Sequence, residues 1–112
     1  LDEAAIKYAD YIINLAGSSV SDGKWTEERK REILDSRIGA TTLLARELAK
    51  GGHHVRAFLS ASAIGIYGDQ DDRLLHEQAP PAPDDFLATV CQQWEAAAQQ
   101  VEQQGIRTVI FR

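Results

Sequence analysis

A chain of 112 residues, 44% hydrophobic and 26% charged, has the composition of a single globular domain and enough length to bury a core, so disorder is set aside. A net charge of -5 argues against a nucleic-acid partner, which needs clustered Lys and Arg. The densest basic stretch, Arg29-Lys30-Arg31, is flanked by Glu27, Glu28 and Glu32 and reads as a solvated, ion-paired helix face. One cysteine, Cys91, leaves no internal disulfide and fits a reducing, cytoplasmic setting. No apolar run is long enough to span a membrane, and no signal peptide is visible.

Taken in chain order, residues 11–17 (Tyr-Ile-Ile-Asn-Leu-Ala-Gly) form a short, nearly unbroken apolar run ending on glycine, which suits a strand buried on both faces. A polar loop, 18–24, follows. Residues 26–50 then show a helical stripe of Ile33, Leu34, Ile38, Thr41, Leu44, Ala45 and Leu48, ended by Gly51-Gly52. A second apolar run predicts a strand over 55–60 with small residues looping after it. Residues 69–85 are acidic and hold all three prolines, Pro80, Pro81 and Pro83, which excludes regular structure across them. A second helix runs from Asp84 or Asp85, either of which can cap it, to Gln104. Its stripe is Leu87, Val90, Cys91, Trp94, Ala97, Ala98 and Val101. Gly105 stops it and 106–111 form a third strand. Strand, helix, strand, helix, strand is a βαβαβ unit: an α/β fold, part of a Rossmann-like doubly wound parallel sheet with right-handed crossovers.

Sheets of this kind bind ligands at the carboxyl ends of their strands. Those ends are Asn14-Leu15-Ala16-Gly17, Ser60-Ala61-Ser62-Ala63 and Arg112. Small residues there either let a flat ligand reach the backbone or only let helix and strand pack; spacing alone leaves both open. His53 and His54 sit at a helix-to-strand turn and His76 in a loop, with no second ligand cluster at metal spacing, so no metal is expected. Cys91, on the apolar helix face, reads as a buried structural thiol, and Trp25 and Trp94 as core or loop anchors.

Three ordered stretches carry a family resemblance. They are Gly23-Lys24-Trp25-Thr26 with Lys30, Ser36 and Arg37; Ser60-Ala61-Ser62-Ala63-Ile64-Gly65-Ile66-Tyr67-Gly68; and Asp85-Phe86-Leu87-Ala88 with Val90-Cys91 and Trp94-Glu95-Ala96-Ala97. With Asn14-Leu15-Ala16-Gly17 they resemble the atypical short-chain dehydrogenase/reductase family of nucleoside-diphosphate-sugar epimerase-like proteins related to YfcH. The resemblance implies that residues 1–112 are the central and late part of one NAD(P)-binding domain, covering its fourth to sixth strands. The glycine-rich phosphate loop, absent from these residues, would lie upstream, and the substrate-binding part beyond Arg112. The lack of methionine and the start on Leu1 suggest the same truncation. The resemblance also implies NADP or NAD as cofactor, with NADP favoured. It places Leu15, Ala16, Gly17, Ser60, Ala61 and Arg112 at that cofactor, and a small molecule such as a nucleotide-sugar as substrate.

The chemistry is less complete. Hydride-transferring members of this superfamily pair a Tyr with a Lys four residues later, but Tyr8, Tyr11 and Tyr67 are followed at that distance by Ile12, Leu15 and Asp71. Sliding the pattern onto the last helix by Glu95 puts Leu87 at the Tyr place and Cys91 at the Lys place. Ser62 matches the family's catalytic serine, or is a loop-capping serine. Tyr67 can stand in as the acid, or packs under the following loop. Asp69 and Glu77, bordering the cleft, read as surface residues rather than as a base. Two functions remain: an NAD(P)-dependent epimerase or reductase with a nonstandard acid/base, or a dinucleotide-binding sensor without turnover. Since the fourth strand of such a sheet pairs with the first, residues 11–15 are also expected to show an open edge and an uncovered face, so that the isolated fragment self-associates or keeps the missing half as a separate chain.

Overall fold

The computed structural model describes all 112 residues. It opens on a six-residue helix, α1 (Glu3–Tyr8), whose N-terminus is capped by the Asp2 carboxylate accepting from the Ala4 and Ala5 amides. The sequence reading did not foresee it, because six residues carry no periodic stripe. β1 (Tyr11–Asn14) then stops at Asn14, short of the predicted Gly17.

Helix α2 (Glu27–Ala49) starts where Thr26 Oγ1 accepts from the Arg29 amide, with Glu27 and Glu28 in its first turn. It ends before Gly51 and Gly52, both at positive φ. β2 (Ala57–Ala61) begins two residues later than expected. His53 explains the delay: its ring nitrogens bond the Leu48 carbonyl and the Val55 amide, tying residues 53–55 to the end of α2 instead of to the ladder. The residues after β2 are a 3-10 turn, Ile64–Tyr67, not open loop. Asp85 caps α3 (Phe86–Glu102) by accepting from the Ala88 amide, and β3 (Arg107–Phe111) follows Gly105.

The strands are parallel in the order β1-β2-β3, with Asn14 beside Ser60 and Ser60 beside Ile110. Two crossovers of one hand running in one direction place both helices on one face, where α2 and α3 pack together. Ile12, Asn14, Phe58, Ser60, Thr108 and Ile110 face them, and the core joins Phe58 to Ala45, Leu48, Val55, Ala98, Val101 and Ile106. The opposite face is bare. Within these 112 residues Tyr11, Ile13 and Phe111 are more than half exposed, the helices of the chain covering one side of β1. No helix is long and apolar enough to cross a membrane.

Candidate functional site at the strand ends

Strand alternation turns the Asn14 side chain inward at the end of β1. There its Nδ2 donates to Thr41 Oγ1 at 2.8 Å and to Ser60 Oγ at 3.5 Å, while its Oδ1 accepts from the Ala16 amide. Thr41 Oγ1 also accepts from Trp94 Nε1 and donates to the Arg37 carbonyl. The Ser60 hydroxyl is therefore buried in this network, donating to the Ala61 carbonyl, and supports the strand end from below. Ala61 is half-buried beside it. Leu15 is exposed, Ala16 half-buried and Gly17 exposed.

A Cβ at Gly17 would stand 2.8 Å from Arg37 Cζ, so a larger residue there would have to displace the Arg37 side chain. Arg37 lies over the Trp94 ring at 5.2 Å and donates to the Ser18 and Ile33 carbonyls; burial pulls its pKa below the usual guanidinium value. Ser36 Oγ accepts from the Ser18 amide, and Arg29 donates to the Ser19 carbonyl. Trp25 bonds the Val20 carbonyl and meets Phe86 edge-on, with Lys30 over the same Phe86 ring. The first stretch behind the family resemblance is thus a loop fastening: it holds residues 17–26 to α2 and to the start of α3.

The ends of β2 and β3 carry a second cluster. Ser62 Oγ donates to Glu95 Oε1 at 2.6 Å, and Arg112 clasps the same carboxylate with two bonds of 2.8 Å, from Nε to Oε1 and from Nη2 to Oε2. Arg112 Nη1 donates to the Tyr67 hydroxyl at 3.0 Å and to the Glu77 carbonyl. Tyr67 OH in turn donates to that carbonyl across a long 3.4 Å. Burial pushes the Glu95 carboxyl up, but the bonds from Arg112 and Ser62 outweigh it and leave the group below the usual carboxylate value. Arg112 is raised above its ordinary value, first by Glu95 and then by Tyr67.

These side chains border a cleft of about 790 Å³ lined by Tyr67, Glu95 and Arg112, with Asp69, His76 and Glu77 from the following loop. The structure thus brings Ser62, Tyr67 and Arg112 together: Glu95 joins Ser62 to Arg112, and Arg112 reaches on to Tyr67. Ser62 stands behind Glu95 and does not line the cleft itself. The Tyr67 ring is buried beside Ile66 and Cys91 and under the loop, with its hydroxyl end at the cleft. Asp69 and Glu77 border the cleft as expected, although Glu77 takes part through its backbone. Arg112, expected at the cofactor, has both edges of its fork engaged by protein groups.

Glu95 was missed as a functional residue. The signal was an acid in line with Leu87 and Cys91 on the α3 face, one further step of four residues beyond Cys91, and only 7% exposed. Leu87 packs toward Gly65, and Cys91 is a buried thiol whose pKa burial pushes up. Neither can move a proton in the place of Tyr or Lys.

Comparison with known proteins agrees with this architecture. A family profile for the NAD dependent epimerase/dehydratase family matches residues 2–112. The chain is 39% identical over 110 residues to the epimerase family protein YfhF of Bacillus subtilis, covering 98% of this chain and 36% of that protein. It is 36% identical to the epimerase family protein ML0860 of Mycobacterium leprae, covering 99% of this chain and 35% of the relative. The chain thus spans a little over one third of these curated relatives. Among solved structures, the human epimerase family protein SDR39U1 with NADPH superposes with a TM-score of 0.83 at 28% identity, covering 91% of this chain and 35% of that one. A nucleoside-diphosphate sugar epimerase from Corynebacterium glutamicum gives 0.75 at 35% identity, covering 93% and 21%. With a parallel α/β sheet, a cleft at its strand ends and a profile match along almost its whole length, the chain belongs to the NAD dependent epimerase/dehydratase family.

Proposed function

We propose that this chain carries the strand-end part of an NAD(P)-dependent epimerase or reductase site for a nucleotide-sugar or a related carbonyl compound, with NADP favoured over NAD. The observation that carries the reading is the cleft at the ends of β2 and β3, where Tyr67, Glu95 and Arg112 converge and Ser62 stands behind them. The relatives support the class: the human protein was solved with NADPH, and the Corynebacterium protein is named as a nucleoside-diphosphate sugar epimerase.

The residues at the end of β1 fit a dinucleotide. Leu15 offers an exposed apolar side chain, Ala16 and Gly17 leave backbone uncovered, and Arg37 fills the space where a larger residue at 17 would point. Leu15, Ala16, Gly17 and Ala61 would hold the cofactor, with Ser60 bracing the strand end beneath. When bound, the cofactor supplies or takes up a hydride. Tyr67 holds the proton at its hydroxyl, and Ser62 fixes the Glu95 carboxylate that orients the cleft wall.

Leu87 and Cys91, in the places where Tyr and Lys would stand on α3, favour a second reading as a dinucleotide-binding sensor without turnover. One experiment separates the two. Full-length protein is titrated with NADPH and NADH by cofactor fluorescence, then incubated with a panel of nucleoside-diphosphate sugars and their keto forms. Binding with product formation is the expected result. Tight binding with no product from any member would leave the sensor, and no binding would sink both.

A further inference from the structure

Tyr67 presents a hydroxyl to the cleft from an otherwise buried ring, 6% exposed overall. A phenol that gives up its proton in such a place leaves an anion with little water around it, and a buried anion needs a cation within hydrogen-bond reach. Arg112 is placed for that task. Its Nη1 donates to the phenol oxygen at 3.0 Å, and its guanidinium carbon lies 5.5 Å from the ring centre. The opposite edge of the same fork is clasped by Glu95, which also receives the Ser62 proton. A planar group gripped along one edge cannot swing, so the other edge stays aimed at Tyr67.

We propose that Arg112 is the cationic positioning partner of Tyr67, replacing the lysine this chain lacks, and that Glu95 and Ser62 lock it in place. The inference rests on the enzyme reading above. In the reductive direction Tyr67 would give its phenolic proton to the substrate carbonyl oxygen, the bound cofactor being what would supply the hydride to the carbonyl carbon. The C=O bond becomes C–O–H, and the phenolate left behind is held by Arg112 until solvent returns the proton. The 3.4 Å bond to the Glu77 carbonyl is long enough for a substrate oxygen to take over the proton.

The assignment is tested in full-length protein with NADPH and whichever sugar of the panel turns over. Arg112→Ala is expected to lower kcat by about 100-fold while NADPH affinity by fluorescence titration is unchanged. Guanidinium chloride at sub-denaturing concentration should restore part of that loss. Tyr67→Phe should lose turnover to a similar extent without rescue. If Arg112→Ala fails to fold, Arg112→Lys carries the comparison: it keeps the charge, loses the two-edged fork and should fall between. Weakened NADPH binding in step with the lost turnover would overturn the proposal and return Arg112 to the cofactor. Unchanged turnover in Arg112→Ala or in Tyr67→Phe would also overturn it, with the enzyme reading intact. Absence of turnover in the unmodified protein, with NADPH bound, would sink the enzyme reading and this inference together.

Discussion

Glu95 shows how one side chain can tie a site to the stability of its fold. Its carboxyl is below its ordinary value of 4.5 in the folded chain, so its ionised form is favoured by folding. A group shifted in this direction contributes its stability in full above the unfolded value, and the contribution fades as pH falls through the folded one. Thermal unfolding followed by circular dichroism should therefore show a midpoint that drops on acidification below about pH 4.5. Glu95→Gln should flatten that acid limb, and an unaltered limb would assign the drop to other carboxylates. Glu95→Ala, which leaves the partly exposed Arg112 fork without its partner but open to water, should cost about 1–2 kcal/mol at neutral pH by urea titration. Cys91 offers a second check. Buried and with its thiol pushed up by that burial, it should react with a disulfide reagent far more slowly in the folded chain than in urea. Equal rates would place it at the surface.

Among the elements, the loop from Gly68 to Pro83 depends on one backbone conformation. Gly68 sits at φ +65, and a Cβ there would lie 2.6 Å from Ala82 Cβ, while the Ala82 amide bonds the Ile66 carbonyl. Gly68→Ala meets both strain and a steric clash, and should destabilise the chain by about 2 kcal/mol in urea, with the loop loosened over the cleft. A neutral effect would mean the loop can return by another route. The three strands and two long helices were legible because their apolar patterns run over enough residues, with Gly51, Gly52 and Gly105 as stops. Helix α1 was not, since it rests on the Asp2 cap and not on a stripe. Asp84 and Asp85 are equivalent as caps in sequence, and in the fold it is Asp85 that accepts from the Ala88 amide. The β1 and Tyr67 motifs were readable in place, whereas the links from Ser62 to Glu95 and from Arg112 to Tyr67 join residues 33 and 45 positions apart. Local spacing carries no trace of such a closure. Ser60 was placed on the correct strand end, but strand alternation sends its hydroxyl beneath the sheet.

Seen whole, the molecule has one face built of helices and one of bare sheet. Tyr11, Ile13, Leu59, Val109 and Phe111 make an apolar surface interrupted by Arg107, bounded by the unpaired edges of β1 and β3. Surfaces of this kind associate, and the 112-residue chain is expected to self-associate as concentration rises, read by light scattering. Ile13→Lys, at a position 66% exposed, should shift that association to higher concentration without altering helix content. A monodisperse monomer at all concentrations would contradict the expectation. The two tryptophans have equally unlike surroundings. Trp94 is 5% exposed, its N–H held by Thr41 beneath an arginine plane, whereas Trp25 is 40% exposed on the loop that leads from β1 into α2, with its ring against Phe86 at the start of α3. The chain therefore carries two intrinsic optical reporters, a blue-emitting one in the core and a redder, quencher-accessible one at the rim, so that loosening of the strand-end loop and melting of the core can be watched separately in one unlabelled sample.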